Sequence, residues 1–242
     1  MILKYKIYII AYVWINAILL YLPQKQCHSQ ENHTRPPRKY EYIKNNMVIS
    51  SENIEEIKKA QNFVEKSKIE KYDTIISIGS WNGNREFLWS LFTDSVHFYL
   101  QDVDISSLTK FRIEEVCIPH YSKMRQTPVT NTFAIIKGTQ KHFGINDNSV
   151  SKVIMYNVYH HFKNDIIMVK EAKRVLQNNG NLIIWENVTE RNMKTRRYCG
   201  DKGKYKTQEN FVNDIVNLGF ICDTVYKDIG DRRIFFFTKK TN

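Results

Sequence analysis

The sequence predicts an α/β fold: a doubly wound, mostly parallel sheet with helices on both faces. Short, apolar, β-branched segments alternate along the chain with segments of helical periodicity, which is typical of parallel strands joined by helices. One segment, Val150 to Tyr156, is apolar enough to be buried on both faces, as the central strands of such a sheet are. Ligands of these folds gather at the carboxyl ends of the strands, so we expect the functional site there.

The predicted elements follow one another in alternating order. Strands are expected over Asp73–Ile78, His97–Val103, Val150–Tyr156, Leu182–Glu186 and Ile234–Thr238. Helices are expected over 51–68, from about Phe87 to Phe92, over Ile166–Leu176 and over Gln208–Leu218. The first strand is followed at once by Gly79-Ser80-Trp81-Asn82-Gly83, which predicts a turn between that strand and a helix.

Length and composition favour a single globular domain behind an N-terminal appendage. The chain has 242 residues, of which 42% are hydrophobic, and this is enough for one sizeable core but short for two. We expect a signal peptide or membrane anchor over residues 1–29, a polar linker over 30–49 and the domain over 50–242.

The N-terminal segment carries the features of export or membrane attachment. Lys4 and Lys6 precede an apolar run of 16 residues, Ile7–Leu22, which Pro23 ends. This length suits the core of a signal peptide better than a full membrane span, which needs about 20 residues. A signal cleaved after Ser29, an uncleaved anchor and a buried core helix are the alternatives, in that order of preference. The sequence therefore predicts an exported or membrane-anchored protein.

The net charge of +11 does not favour a nucleic-acid-binding protein. Residues 1–50 alone carry seven Lys and Arg against two Glu, and in the remainder basic and acidic side chains are interspersed. A mixed, solvated surface explains this pattern better than a binding stripe. We expect no nucleic-acid partner.

A metal site is not predicted either. The four cysteines, Cys27, Cys117, Cys199 and Cys222, lie far apart and form no C-x-x-C pair. The adjacent His160 and His161 lack further ligands at a suitable spacing.

Four blocks of the predicted domain, in order, resemble the class I S-adenosylmethionine-dependent methyltransferases. The first, Thr74 to Leu108, is a strand, a glycine-bearing turn, a helix and a strand that ends in an acid. The others are VSKVIMYNVYHHFKN from Val150, KEAKRVLQNNGNLIIWEN from Lys170 and FVNDIVNLGF from Phe211. The phrases NVYHHF and RVL followed by a glycine are similar to the small-molecule branch that includes ubiquinone and menaquinone biosynthetic enzymes.

This resemblance covers roughly residues 55–240. It implies a Rossmann-like methyltransferase fold with an antiparallel last strand, S-adenosylmethionine as the cofactor, and methyl transfer to a small-molecule or lipid-linked substrate.

The resemblance also implies where the cofactor binds. Gly79 and Gly83 would let the backbone approach the amino-acid end of the cofactor, although an ordinary tight turn would also use them. Asp104, in the phrase Asp-Ile-Ser, is expected to accept hydrogen bonds from the ribose hydroxyls. Asp102 is the fallback for this role, and a solvated acid at a strand end is the alternative interpretation.

Several positions depart from the family pattern. Ser77 stands where the family usually has an acid, and Trp81 replaces the middle glycine of the turn. Thr139 and Gln140 replace a phrase whose acid meets the adenine amine, and Ser151 replaces a further acid. Ser77, Thr139 and Gln140 stay candidates for cofactor binding through weaker, neutral hydrogen bonds. The alternative function is therefore a catalytically silent binding module of the same fold.

Two histidines follow the predicted fourth strand. His160 and His161 are the candidates for a catalytic base because an imidazole titrates near neutral pH, although packing histidines are the commoner case. Asn157, at the end of the same strand, is expected to face the cofactor or the substrate. The basic stretch Asn192–Lys206 stands where the family's substrate lid falls, and it either selects an acidic substrate or forms a solvated loop.

Overall fold

The computed structural model describes residues 51–190, 193–194, 204–228 and 230–241, all within one compact unit, Asn46–Asn242. The predicted N-terminal segment over 1–29 and the linker over 30–49 lie outside these ranges. Within the ranges described, no helix combines the length and the apolar character that crossing a membrane requires.

Five α-helices lie within the described residues. They are α1 (Ser51–Lys66), α2 (Asn84–Trp89), α3 (Ile118–Arg125), α4 (Asp165–Val175) and α5 (Gln208–Val216). Helices α4 and α5 begin where a polar side chain caps them: Asn164 accepts from the N–H of Ile167, and Thr207 from that of Asn210. A π-helix, Arg112–Cys117, runs directly into α3, and a 3₁₀ turn, Tyr159–His161, follows the fourth strand.

Nine strands lie in the same part of the chain. They are β1 (Thr74–Ile78), β2 (His97–Asp102), β3 (Thr132–Lys137), β4 (Val150–Tyr156), β5 (Leu176–Asn187), β6 (Met193–Lys194), β7 (Lys204–Tyr205), β8 (Phe220–Lys227) and β9 (Arg232–Lys239). Strands β6 and β7 pair only with each other, as a short antiparallel ribbon.

The other seven strands form one sheet in the order β3-β2-β1-β4-β5-β9-β8. Strand β1 pairs in parallel with β2 and β4, whereas β9 is antiparallel to both β5 and β8. The predicted fold, including the antiparallel last strand, is confirmed. The chain runs outward from β1 to β3 and then returns to β4, and the crevice at such a switch point is where this class of sheet binds ligands.

The apolar faces of the helices bury both sides of the sheet. Helices α1, α2 and α3 pack on one face through side chains such as Phe63, Phe87 and Tyr121. Helices α4 and α5 cover the other face, with Val169 and Phe211 in the core. Because both faces are covered, the central strands are predominantly apolar, which is the pattern that predicted them.

Several elements had no prediction from the sequence, namely β3, β8, the ribbon strands β6 and β7, the 3₁₀ turn, and the helix formed by Arg112–Cys117 and α3. Strand β3 forms one edge of the sheet and has no fully buried residue, and its apolar run, Phe133–Ile136, is only four residues long. Strand β5 begins at Leu176 rather than at Leu182, because Leu176 pairs with Val150 before an irregularity in the register.

The π-helix aims one side chain at the turn after β1. Nε of Arg112 donates to the carbonyl oxygen of Asn82 at 3.2 Å, and Nη2 donates to Oδ1 of Asn84 at 2.6 Å. A residue that follows β2 thereby holds the turn that precedes α2.

Candidate functional site

The turn after β1 has a left-handed backbone at alternate positions. The φ angle is +68° at Gly79, +51° at Trp81 and +74° at Gly83. A side chain at the first position would collide with the segment after β4, since a Cβ on Gly79 would lie 2.4 Å from Cγ2 of Val158. The glycines suit this backbone, whereas Trp81 holds a bulky side chain in a conformation that costs an ordinary residue about 1–2 kcal/mol.

Strand β2 ends in an acid that faces this turn. Oδ2 of Asp102 accepts a hydrogen bond from the backbone N–H of Trp81 at 2.8 Å, and Oδ1 accepts one from the N–H of Asp104 at 3.1 Å. Asp104 is exposed, and the hydrogen bond that it accepts from the N–H of Ser106 lowers the pKa of its carboxyl group. The carboxylate opposite the turn is therefore that of Asp102, the fallback position, and not that of Asp104.

A cavity of about 680 Å³ opens at the carboxyl ends of β1, β2 and β4. Its walls come from the turn, the end of β2, the loop after β3 and the segment after β4, and comprise Ile78, Gly79, Trp81, Arg85, Gln101, Asp102, Val103, Thr139, Gln140, Asn157, Val158, His160, His161, Phe162, Lys163 and Met168. Six of the predicted site residues come together here, namely Gly79, Thr139, Gln140, Asn157, His160 and His161. The remaining three, Ser77, Gly83 and Asp104, do not line this cavity in the described structure.

A buried carboxyl group takes up the hydroxyl of Ser77. Oγ of Ser77 donates to Oε1 of Glu86, in α2, at 2.5 Å. Burial raises the pKa of Glu86, although the charge of Arg85 and the hydrogen bond from Ser77 act in the opposite direction. Oε2 of Glu86 has no hydrogen-bond partner among the described residues. An acid is thus present near position 77, but it comes from the following helix and is enclosed in the protein.

Arg85 places a positive charge on the cavity wall at this end. Its Nη1 donates to the carbonyl oxygen of Tyr156 at 2.6 Å and its Nη2 to that of Gly79 at 3.5 Å. The guanidinium carbon lies 4.4 Å from the centre of the Tyr156 ring, within cation–π range. A guanidinium held in this way is a suitable partner for a carboxylate.

An amide forms the wall between β2 and β3. Gln101 is 1% exposed, and its Oε1 has no hydrogen-bond partner in the part of the chain described. Gly138 makes room for it, because a Cβ on Gly138 would lie 1.8 Å from Nε2 of Gln101. Thr139 comes next along the wall, and its Oγ1 accepts a hydrogen bond from the N–H of His142 at 2.9 Å.

The segment after β4 brings an imidazole against a carboxylate. Nδ1 of His160 lies 2.9 Å from Oε2 of Glu186, near the end of β5, and both side chains are buried. The ring of His161 lies beside that of His160, with 4.0 Å between the centroids. Asn157 has a φ of +56°, and its N–H donates to the carbonyl oxygen of Trp185 at 2.7 Å.

The end of the basic stretch Asn192–Lys206 is fixed by ion pairs. Nζ of Lys206 lies 2.5 Å from Oδ2 of Asp165 and 2.7 Å from Oδ2 of Asp214. The preceding residue, Tyr205, packs its ring 5.3 Å from that of His160. Lys206 is therefore already neutralised, and the side chains of the other basic residues in the stretch lie outside the described part of the chain.

Comparisons with known proteins agree with this architecture. Residues 97–184 match a family model described as a methyltransferase domain. The chain resembles the class I S-adenosylmethionine-dependent methyltransferases. A SAM-dependent methyltransferase from Aquifex aeolicus is similar over 77% of this chain and 98% of its own length, with 15% identity and a TM-score of 0.54.

Two further solved structures share the methyltransferase fold at low identity. The cyclase SpnF covers 77% of this chain and 82% of its own, with 11% identity and a TM-score of 0.56. The CurJ carbon methyltransferase is similar over 79% of this chain and 56% of its own, with 10% identity and a TM-score of 0.54. A search of curated proteins gave no match. At these identities the likeness concerns the fold.

The residues of the cavity fit S-adenosylmethionine, the cofactor of the methyltransferases that the chain resembles. Asp102 offers a carboxylate for the ribose hydroxyls, and the orphaned oxygen of Gln101 offers an acceptor for the adenine amine. Arg85 offers a cation to the carboxylate of the amino-acid end.

Sequence reasoning did not single out Gln101, Arg85 or Glu186. Gln101 had a recognisable signal, because it is a polar residue directly before the acid in an otherwise apolar strand. Glu186 had a similar one, as the acid that ends the apolar run LIIWE. Arg85 had none, since its importance depends on where α2 packs.

Proposed function

We propose that this domain transfers a methyl group from S-adenosylmethionine to a small-molecule or lipid-linked acceptor. The observation that supports this most is the left-handed turn Gly79–Gly83 with the Asp102 carboxylate opposite it, at the mouth of a cavity of about 680 Å³. This volume lies in the usual range for small-molecule sites, roughly 300–1,000 Å³.

Each end of the cavity has a distinct role in this proposal. Asp102 holds the ribose, Gln101 and Thr139 meet the adenine, and Arg85 pairs with the carboxylate. When bound, S-adenosylmethionine supplies an electrophilic methyl group on a sulfonium. The protein then chiefly needs to hold the acceptor in line with that group and to keep water away, because positioning alone is worth several kcal/mol of the barrier.

A catalytically silent binding module of the same fold is the second candidate. Two observations favour it: Trp81 occupies the turn position where a glycine is expected, and the hydroxyl of Ser77 is committed to Glu86. Both features remove contacts that the amino-acid end of the cofactor would otherwise gain. A binding module would still hold a ligand in the cavity, but it would transfer no methyl group.

Calorimetric titration of the full-length protein with S-adenosylhomocysteine tests the cofactor assignment. We expect saturable binding with one site, and no comparable heat with ATP, which shares the adenosine but not the amino-acid end. Absence of binding by folded protein would refute the methyltransferase proposal. Binding without release of S-adenosylhomocysteine from S-adenosylmethionine, in any cell extract offered, would instead support the silent module.

We further propose that residues 1–29 export the protein or anchor it in a membrane. The support is the basic start and the apolar run Ile7–Leu22. Since S-adenosylmethionine is made in the cytoplasm, an active enzyme would be anchored with its domain inward, whereas an exported protein would fit the silent module. Mass spectrometry of the mature N-terminus, together with protease protection of intact cells, distinguishes a cleaved signal, an inward anchor and a cytoplasmic protein, and the last would refute this proposal.

A further inference from the structure

Arg85, on helix α2, bridges the carboxyl ends of the neighbouring strands β1 and β4. Its Nη1 donates to the carbonyl oxygen of Tyr156, the last residue of β4, and its Nη2 donates to that of Gly79, directly after β1. These carbonyl oxygens lie at the switch point of the sheet, where an ammonium group of a ligand would look for acceptors. The guanidinium of Arg85 therefore takes up two acceptors that an ammonium could otherwise use.

Two stacked aromatic rings hold this guanidinium in place. The Tyr156 ring lies 4.4 Å from the guanidinium carbon of Arg85 and stacks on the ring of Trp185, with 4.1 Å between the centroids. Nε1 of Trp185 donates to Oδ2 of Asp228 at 2.7 Å, and the guanidinium carbon of Arg232 lies 4.5 Å from the Trp185 ring. The positive charge of Arg85 is thus fixed at the cavity wall before a ligand binds, which lowers the cost of binding an anion there.

The end of the cavity at Arg85 carries no carboxylate among the described residues. Asp102 is the only acid in the described lining, and it belongs to β2, on the far side of β1. Glu86, next to Arg85 along the chain, is 0% exposed, and its Oε1 accepts a hydrogen bond from Ser77. Neutral acceptors such as the amide of Asn157 remain on this wall, and each contributes less than a charged acceptor would.

We propose that the cavity recognises the amino-acid end of its ligand through the carboxylate alone, and that Arg85 determines this specificity. The inference rests on the proposed cofactor site and adds a ligand class, namely adenosyl thioethers and sulfoniums whose tail ends in a carboxylate and needs no ammonium. A carboxylate gains charge-assisted hydrogen bonds from Arg85. An ammonium meets a like charge there and finds the two carbonyl oxygens already bonded.

Calorimetric titration of the full-length protein with four adenosine thioethers tests this specificity. S-adenosylhomocysteine carries both charged groups, its deaminated analogue only the carboxylate, its decarboxylated analogue only the ammonium, and methylthioadenosine neither. The deaminated analogue should bind within about threefold of S-adenosylhomocysteine, and methylthioadenosine about 10- to 100-fold more weakly, since it lacks the charge-assisted hydrogen bonds. The decarboxylated analogue should bind no more tightly than methylthioadenosine.

Two outcomes of this titration would overturn the inference, and they differ in what they say about the cofactor. A deaminated analogue that binds more than about tenfold more weakly than S-adenosylhomocysteine would show that the ammonium is recognised. The inference would then fail while the methyltransferase proposal stands. Folded protein that binds none of the four ligands would refute both.

Arg85→Gln should change the four affinities in different directions. The affinities for S-adenosylhomocysteine and its deaminated analogue should fall about 10- to 100-fold, to the level of methylthioadenosine. The decarboxylated analogue should bind more tightly than it does to the wild type, because the like charge is gone and the carbonyl oxygens of Gly79 and Tyr156 are free to accept. An equal loss for all four ligands would indicate a merely structural role and would contradict the inference.

Arg85→Lys provides a second test in case Arg85→Gln does not fold. It keeps the positive charge, so it should still prefer the deaminated analogue to the decarboxylated one. The opposite preference would contradict the inference.

Arg125→Gln is the matched control. Nη1 of Arg125 also donates to two carbonyl oxygens, those of Ser90 at 2.8 Å and Thr93 at 2.9 Å, but Arg125 does not line the cavity. The order of the four affinities should be that of the wild type. A change in this order equal to that in Arg85→Gln would show that the specificity does not come from the charge at the cavity wall, and the inference would fail.

Discussion

The backbone N–H of Trp81 donates a 2.8 Å hydrogen bond to the carboxylate of Asp102. This bond ties the turn after β1 to the end of β2 across the mouth of the cavity. It also occupies only one lone pair of Oδ2, so the carboxylate keeps acceptor capacity for a ligand.

Asp102→Asn should weaken the binding of S-adenosylhomocysteine. A charged acceptor contributes roughly 1.5–3 kcal/mol to a hydrogen bond, so we expect Kd to rise about 10- to 100-fold. Asp104→Asn is the control. Because Asp104 is exposed and accepts a hydrogen bond from Ser106, the Kd of this variant should stay within about twofold of the wild-type value. Calorimetric titration measures both. A larger rise in Kd for Asp104→Asn than for Asp102→Asn would show that Asp104 binds the ribose.

Trp81→Gly should tighten the binding of S-adenosylhomocysteine. Glycine adopts a φ of +51° without strain and removes the indole from the cavity wall, while the backbone N–H that Asp102 accepts is kept. Trp81→Asn separates the two effects, since asparagine tolerates this backbone and is small. If both variants bind more weakly than the wild type, the indole is itself part of the binding site.

The fold could be predicted from the sequence because its signals are local. The strands Thr74–Ile78 and Val150–Tyr156 are buried on both faces and leave short, mostly apolar runs, whereas the amphipathic helices leave a periodic pattern. Strand β3, at an edge of the sheet, carries a run of only four apolar residues, Phe133–Ile136, and was not predicted.

The site was predicted less completely because its decisive features depend on tertiary packing. The turn Gly79–Gly83 was recognisable from its glycines. Two positions, 102 and 104, both looked like the acid of β2, and only the end of the strand at Asp102 separates them. The contact of His160 with Glu186 joins the turn after β4 to the end of β5, 26 residues further along the chain, and no spacing rule connects the two residues.

The wild type should lose stability as the pH rises, because the buried Glu86 must then ionise, and Glu86→Gln should not show this loss. Burial raises the pKa of Glu86 above its ordinary value of 4.5, so the folded state holds this proton more tightly than the unfolded chain does. That contribution is complete below about pH 4.5 and is lost as the pH rises through the folded-state pKa. We expect the variant to be more stable than the wild type near pH 8, with the difference shrinking towards pH 4.5.

Urea unfolding at several pH values measures this difference. Glu55→Gln, at an exposed position of α1, is the control and should leave the pH dependence unchanged. A Glu86→Gln variant less stable than the wild type throughout would mean that the buried group is ionised and needed in that form.

Lys206→Met should weaken the packing of the segment that joins the ribbon β6–β7 to helix α5. Burial lowers the pKa of Lys206, but the hydrogen bonds and charges of Asp165 and Asp214 outweigh it and raise the pKa above normal. Removing the cation leaves the half-buried Asp165 without its counter-charge, at a cost of roughly 1–2 kcal/mol. The amide of Thr189, which donates to the carbonyl oxygen of Lys206 at 3.1 Å, should then exchange hydrogen faster.

The control for this variant is Lys110→Met. Lys110 pairs with Glu114 at the surface, where an ion pair contributes no more than about 1 kcal/mol. Hydrogen exchange at Thr189 should match the wild type there. Unchanged exchange in Lys206→Met as well would show that the carbonyl contact is held by the backbone alone.

The reach of Arg112 from the π-helix to Asn82 and Asn84 makes the turn Gly79–Gly83 depend on the segment between β2 and β3. A π-helix accommodates an inserted residue, and deleting one would turn the side chains on either side by about 100° relative to each other. In related chains, gains and losses of single residues between β2 and β3 should therefore accompany exchanges at positions 82 and 84. The residues of the turn would then vary together with the length of a segment that lies outside it.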